Sequence, residues 1–159
     1  MCYGDSVTQT AGTETAAATP LLDEQICFAL YSASRALTSR YRALLDPLGV
    51  TYPQYLALLV LWEVGTVTVG GLGERLQLDS GTLSPLLRRL DKTGLITRTR
   101  RPEDERTVLV SLTARGNELR ERAAGIPAQI CAATGMSLPD IGSLRGRLTS
   151  VAEHVRASS

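Results

Sequence analysis

The stretch from Val69 to Leu112 constrains the fold most, because its pattern changes from helical to extended within a short span. Val69 to Leu76 reads as a short helix, although Gly70, Gly71 and Gly73 make it a poor one by propensity. Gln77, Leu78 and Asp79 form a turn. Asp79 or Ser80 then caps a second helix running to about Thr93, where Gly94 supplies a stop. Pro85 inside it costs one backbone hydrogen bond unless it lies in the first turn. Leu95–Arg101 and Thr107–Leu112 are short β-prone runs joined by the charged segment Pro102-Glu103-Asp104-Glu105-Arg106, the pattern of a hairpin with an extended tip.

A short helix, a tight turn, a second helix and a charged hairpin follow one another in the order of a winged helix-turn-helix. Long helices flank this unit. From Leu21 to about Leu45, apolar residues recur at mostly helical spacing, and Pro47 and Gly49 end the run. Thr51 caps an apolar helix through Trp62 with Pro53 in its first turn. Thr113 caps a polar helix expected to reach about Ala133 as one piece. Beyond Gly135, Ile141, Leu144, Leu148, Val151 and Val155 alternate three- and four-residue steps, as a helix–helix seam requires. The expected fold is therefore mainly α with a small β-hairpin wing (α+β). Residues 1–20, Thr-, Ala- and Gly-rich, form a disordered tail, and residues 21–159 a single domain. In it, 51–112 read DNA, and 21–50 and 113–159 hold dimerisation helices.

With 43% hydrophobic residues in 159, the chain can build a real core. The net charge of +1 argues weakly against nucleic acid, but the average conceals local structure. Between Arg88 and Arg106, seven basic residues stand against four acidic ones. The second helix of the unit fits the major groove, the groove that displays a full donor and acceptor code. Ser80, Thr82 and Ser84 offer hydroxyls to phosphates or base edges, and Arg88 and Arg89 reach phosphates or guanine edges. Arg106 at the hairpin suits a narrow minor groove. Arginines on a helix are often only a solvated face, so the order of elements carries this inference.

Cys2, Cys27 and Cys131 are too scattered for a disulfide scaffold or a zinc site, and His154 is the single histidine. No metal, other cofactor or catalytic residue is expected. No apolar run approaches the roughly eighteen residues of a membrane span, and no secretory signal is visible. A reducing, cytoplasmic setting is expected, where a thiol is inert core or reactive chemistry.

The run Leu76-Gln77-Leu78-Asp79-Ser80-Gly81-Thr82-Leu83-Ser84-Pro85-Leu86-Leu87-Arg88-Arg89-Leu90, then Lys92-Thr93-Gly94-Leu95-Ile96, then Asp104-Glu105-Arg106 before Val108-Leu109-Val110-Ser111-Leu112-Thr113, resembles the MarR family of bacterial transcription regulators. The resemblance covers roughly residues 21–155. A narrower likeness lies upstream. Leu22-Asp23-Glu24-Gln25-Ile26-Cys27-Phe28-Ala29-Leu30-Tyr31 and Leu48-Gly49-Val50-Thr51-Tyr52-Pro53-Gln54-Tyr55 look like the organic hydroperoxide-sensing OhrR branch. That resemblance implies a homodimeric repressor on an inverted-repeat operator, with Cys27 as the peroxide-reactive thiol. It implies that Tyr41 and Tyr52 of the partner subunit hydrogen-bond to that thiol. It further implies that Cys131 resolves the oxidised Cys27 as an intersubunit disulfide that releases DNA. Gly71 departs from the family pattern, which has an acidic or polar helix former there.

Elementary geometry bears on the same residues. Cys27 and Tyr31, four apart, share a helix face. Tyr41 is about 21 Å further along the same helix, so it meets a Cys27 thiol only across a dimer. A Cys27–Cys131 bond needs Cα atoms within about 7 Å. Three other readings stay open. One is a regulator of the same fold released by a phenolic or other apolar ligand, with Cys27 as pocket lining. The others are a thiol peroxidase and a winged helix used only for protein interaction.

Overall fold

The structure, a computed structural model, describes residues 21–101 and 104–158, without the side chains of Arg101, Glu105 and Arg106. The proposed tail 1–20, with Cys2, lies outside the described residues. A 3-10 turn (Leu22–Glu24) leads into helix α1 (Ile26–Leu45), and a second (Asp46–Leu48) closes on Gly49 in the left-handed region. Helix α2 (Tyr52–Val64), strand β1 (Val67–Thr68), helices α3 (Val69–Leu76) and α4 (Ser80–Lys92), and strands β2 (Ile96–Arg101) and β3 (Asp104–Leu112) follow. Helices α5 (Ala114–Ala123), α6 (Ile126–Ala133) and α7 (Leu138–Ala157) complete the domain. No single described helix is long and apolar enough to cross a membrane.

The core forms around α2, which is apolar on nearly every face: Tyr55, Ala57, Leu58, Val60 and Leu61 are all buried. Leu83, Leu86, Leu87 and Leu90 of α4, Leu72 of α3, and Ile96 and Val110 of the sheet close around it. Each such side chain contributes about 1.5–3 kcal/mol relative to exposure. Gln54 is the one polar residue among the buried described residues. Its Oε1 accepts from the Thr51 backbone N–H at 2.8 Å, so it caps the helix entrance rather than straining it.

Helix α3 forms despite its glycines because tertiary contacts need them. The Thr68 hydroxyl caps it by accepting from Gly71 N–H at 3.0 Å. A Cβ on Gly71 would stand only 3.1 Å from that hydroxyl. A Cβ on Gly73 would lie 3.1 Å from the Leu78 carbonyl and 3.3 Å from Leu83, so glycine permits the close approach of α3 to α4. The same contacts account for Gly71 in place of a larger helix former.

Three expectations need correction. The helix expected from Thr113 to Ala133 is two helices, broken at Ala124–Gly125. Pro127 cannot donate to the Ala123 carbonyl, and its ring crowds the preceding turn. The hairpin tip is shorter than expected, since β3 begins at Asp104 and pairs with Arg101. Charges at 104–106 imitate a loop, yet their backbone belongs to β3. The sheet also has a third strand and the order β1-β3-β2, with Val67 opposite Val110 and Thr68 opposite Leu109. Two residues are too few for any sequence period to reveal.

Candidate DNA interface and thiol site

Helix α4 starts at Asp79, whose carboxylate accepts from Thr82 N–H and from the Thr82 hydroxyl, each at 2.9 Å. These hydrogen bonds hold the Asp79 carboxyl below its ordinary range. Pro85 therefore lies in the second turn, on the open side, and leaves the Gly81 carbonyl without its helical donor. Leu83, Leu86, Leu87 and Leu90 face inward. Gly81, Pro85, Arg88 and Lys92, at helical spacing, run down the middle of the opposite, exposed face.

The predicted residues fare differently around this face. Ser80, Arg88 and Arg89 are exposed, and Ser84 is half-buried at the edge. Thr82 is exposed, but its proton is committed to Asp79, which leaves its oxygen only as an acceptor. Arg88 and Arg89 make no side-chain hydrogen bond or ion pair among the described residues, whereas Arg98 is bound to Asp91 at 3.0 Å. Arg75 is held by Glu63 at 2.6 Å. The free and the committed arginines are indistinguishable in the sequence. Lys92 and Pro85 share this exposed face with Arg88, as the helical wheel of α4 shows once its cap is known. The Arg106 backbone is in β3, and its side chain lies outside the described residues.

One junction between the wing and the body centres on Thr113. The Thr113 hydroxyl caps α5 by accepting from Gly116 N–H at 3.0 Å and donates to the Gly94 carbonyl at 2.6 Å. Trp62 Nε1 donates to the Gly116 carbonyl at 2.9 Å.

The thiol residues fall into two groups. Cys27, in the first turn of α1, is free and exposed, as is every residue from 21 to 40. Tyr31, on its face, accepts a hydrogen bond from Arg35 at 3.1 Å. Tyr41 and Tyr52, by contrast, stand together across α1 and α2, with ring centroids 4.4 Å apart. Tyr55 is 5.9 Å from Tyr41. Burial first, then Tyr52, Tyr55 and Cys131, push the Tyr41 hydroxyl up to about 12. Burial raises Tyr52 as well. Both therefore remain hydrogen-bond donors at neutral pH. Cys131 on α6 is a free, half-buried thiol near Tyr41. Two adjoining cavities open here. One of about 710 Å³ is lined by Tyr41, Tyr52, Leu30, Leu37, Val151 and Val155. The other, about 500 Å³, is lined by Cys131, Met136, Ile141, Leu144, Gln77 and Arg156, among others. Within one chain the structure thus brings Tyr41, Tyr52 and Cys131 together and leaves Cys27 apart. Helix α7 has no buried residue, and its seam side chains Leu144, Leu148, Val151 and Val155 are exposed.

A recognition helix with free arginines beside a three-stranded wing defines a winged-helix DNA-binding protein. Comparison with known proteins narrows the class. The MarR family pattern matches residues 50–108. The organic hydroperoxide resistance transcriptional regulator of Bacillus subtilis (strain 168) is 52% identical over 132 residues, covering 83% of this chain and 90% of that protein. Reduced AbfR bound to DNA superposes with a TM-score of 0.72 at 31% identity, over 84% of this chain and 93% of that one. A disulfide-formed structure of AbfR, a Staphylococcus epidermidis protein, gives 0.59 at 34% identity, over 82% and 92%. The chain belongs to the MarR family, and it is a DNA-binding transcriptional regulator rather than an enzyme.

Proposed function

We propose that the chain is a homodimeric, cytoplasmic repressor that binds an inverted-repeat operator and releases it when organic hydroperoxides oxidise Cys27. The observation that carries this reading is the Tyr41–Tyr52 pair at an apolar cavity beside Cys131, with Cys27 free and far along α1. Fourteen helical residues put Cys27 about 21 Å from Tyr41 of its own chain. A Cys27 thiol at the tyrosines must therefore come from a second copy. The exposed apolar faces of α1 and α7 supply a surface for that copy, and burying them offsets the ordering cost of association.

In such a dimer, the neutral Tyr41 and Tyr52 hydroxyls donate to the partner's Cys27 and stabilise its thiolate. The thiolate sulfur attacks the terminal peroxide oxygen, the O–O bond breaks, and the alkoxide leaves as the alcohol by taking a proton from water. Sulfur is oxidised to sulfenic acid and the peroxide is reduced to alcohol. Attack by the Cys131 thiolate on the sulfenic sulfur then forms the disulfide and expels hydroxide, which leaves as water. The separation of about 21 Å along α1 between Cys27 and Tyr41, which lies near Cys131, supports closure between subunits, since a disulfide needs Cα atoms within about 7 Å. Forming it between subunits moves α1 against α6 and separates the recognition helices from half-sites about one DNA turn apart. The hydroperoxide name of the Bacillus relative and the DNA-bound and disulfide forms of AbfR support the reading. Ser80, Thr82, Ser84, Arg88, Arg89 and Arg106 are assigned to DNA.

A second reading draws on the cavity of about 500 Å³, whose apolar lining suits a small phenolic or other apolar inducer. A gel shift on the chain's own upstream DNA separates the two. Reduced protein binds, a stoichiometric organic hydroperoxide abolishes binding, and dithiothreitol restores it. Cys27→Ser binds but ignores peroxide. Cys131→Ser responds but forms no covalent dimer on a non-reducing gel and accumulates over-oxidised Cys27 or mixed disulfides. Full peroxide response in Cys27→Ser would sink the thiol reading, and wild-type binding indifferent to peroxide would favour the apolar-ligand one.

A further inference from the structure

Gln77 occupies the turn between α3 and α4 at φ 55° and ψ 40°, the one positive-φ residue other than glycine among the described residues. A side chain with a Cβ is strained in this left-handed region, and glycine or asparagine would relieve it. The turn does not need the side chain. It is closed by the backbone alone, with Gln77 N–H donating to the Glu74 carbonyl and Leu78 N–H to the Gly73 carbonyl. What the side chain does is reach the far end of the chain: its amide oxygen accepts from Arg156 Nη2 in the last turn of α7. Arg156 takes this partner although Glu153 lies one turn back on the same helix and lines the same cavity. Within the chain helix α7 buries none of its residues, and it lines one cavity together with Gln77, so packing inside the chain does not hold the two in register.

We infer that the Gln77–Arg156 bond is a strut that sets the angle between the recognition helix α4 and the seam helix α7. It thereby sets the half-site spacing that the dimer reads. Gln77 and Arg156 are positioning residues that act through α4, which begins three residues after Gln77. The inference rests on the dimer proposed above.

The test uses the full chain, reduced, with Gln77→Gly, Arg156→Met and the double variant. Gln77→Gly relieves the backbone and so protects the fold. The probe is an inverted-repeat duplex selected by the wild type from a random pool, with one base pair inserted between or deleted from between its half-sites. The wild type is expected to lose about tenfold or more in affinity on the altered spacings. Each variant loses most of that discrimination, and the double variant is no worse than either single one. The salt dependence of binding stays at the wild-type slope. Variants that discriminate like the wild type overturn the strut. So does a salt slope reduced by about one unit, which marks a direct phosphate contact instead. Sedimentation as a monomer overturns the dimer reading itself, and is seen before any DNA is added.

Discussion

Replacing Gly116 with alanine should destabilise the protein, although alanine is the better helix former by up to about 1 kcal/mol. A Cβ built on Gly116 falls 2.1 Å from the Leu95 carbonyl oxygen and 3.1 Å from Leu112 Cδ2. The obstacle is backbone, so a rotamer change cannot relieve it, and α5 and the start of the wing must separate by close to an ångström. The Leu95 carbonyl also accepts from Thr113 N–H at 3.1 Å, and Gly116 itself bonds Thr113 and Trp62. Overpacking alone costs about 1–3 kcal/mol, and a lost hydrogen bond about 1 more. After the propensity gain, the net loss is about 1–3 kcal/mol, or about 2–12 °C in Tm for a chain of this size. Gly70 is the control: its Cβ meets nothing within 4 Å, so Gly70→Ala should gain about 0.4–1 kcal/mol. Urea unfolding followed by far-ultraviolet circular dichroism at one fixed protein concentration reads both, because association couples to stability. A Gly116→Ala midpoint equal to or above the wild type would refute the argument.

The arginines give a contrast within the same basic stretch. Arg88→Ala should weaken operator binding and lower the salt slope by about one unit, while Arg98→Ala, whose side chain is held by Asp91, should leave the slope unchanged. Fluorescence anisotropy titrations at several salt concentrations decide it. Tyr41 predicts an alkaline effect. Its hydroxyl is raised to about 12 in the folded protein against an ordinary value of 10.0. The folded state thus holds this proton more tightly, so its contribution is complete below pH 10 and is lost as pH rises toward 12. Tyr41→Phe should flatten that part of the stability profile, and a tyrosinate absorbance titration of the wild type should show one late-ionising group that the variant lacks.

Much of the fold was legible in the chain because its signals are local. Thr51 with Pro53, the Val69–Leu76 span, the Asp79 cap and Gly94 all act within a turn of their own position, and the structure places helix ends at or beside them. Helix α7 was equally plain, since a repeat of alternating three and four survives without knowledge of what covers it. Other features depend on residues distant in sequence. Strand β1 exists only because β3 lies beside it. Gly71 and Gly73 of α3 look like defects until the Thr68 cap and α4 stand next to them. Which arginines are free for DNA depends on Asp91 and Glu63, and no property of an arginine codon position announces that.

For the thiol site the division is sharper. Helical periodicity alone determined that Cys27 and Tyr41 of one chain cannot meet, because the rise per residue is a constant of the helix. The pairing of Tyr41 with Tyr52, their proximity to Cys131 and the bond from Gln77 to Arg156 were decided by the tertiary structure. A chain specifies its local conformations through short-range sterics and hydrogen bonds. Contacts between residues far apart in sequence arise only when the chain folds α1 against α2 and α6 and brings the end of α7 to the α3–α4 turn.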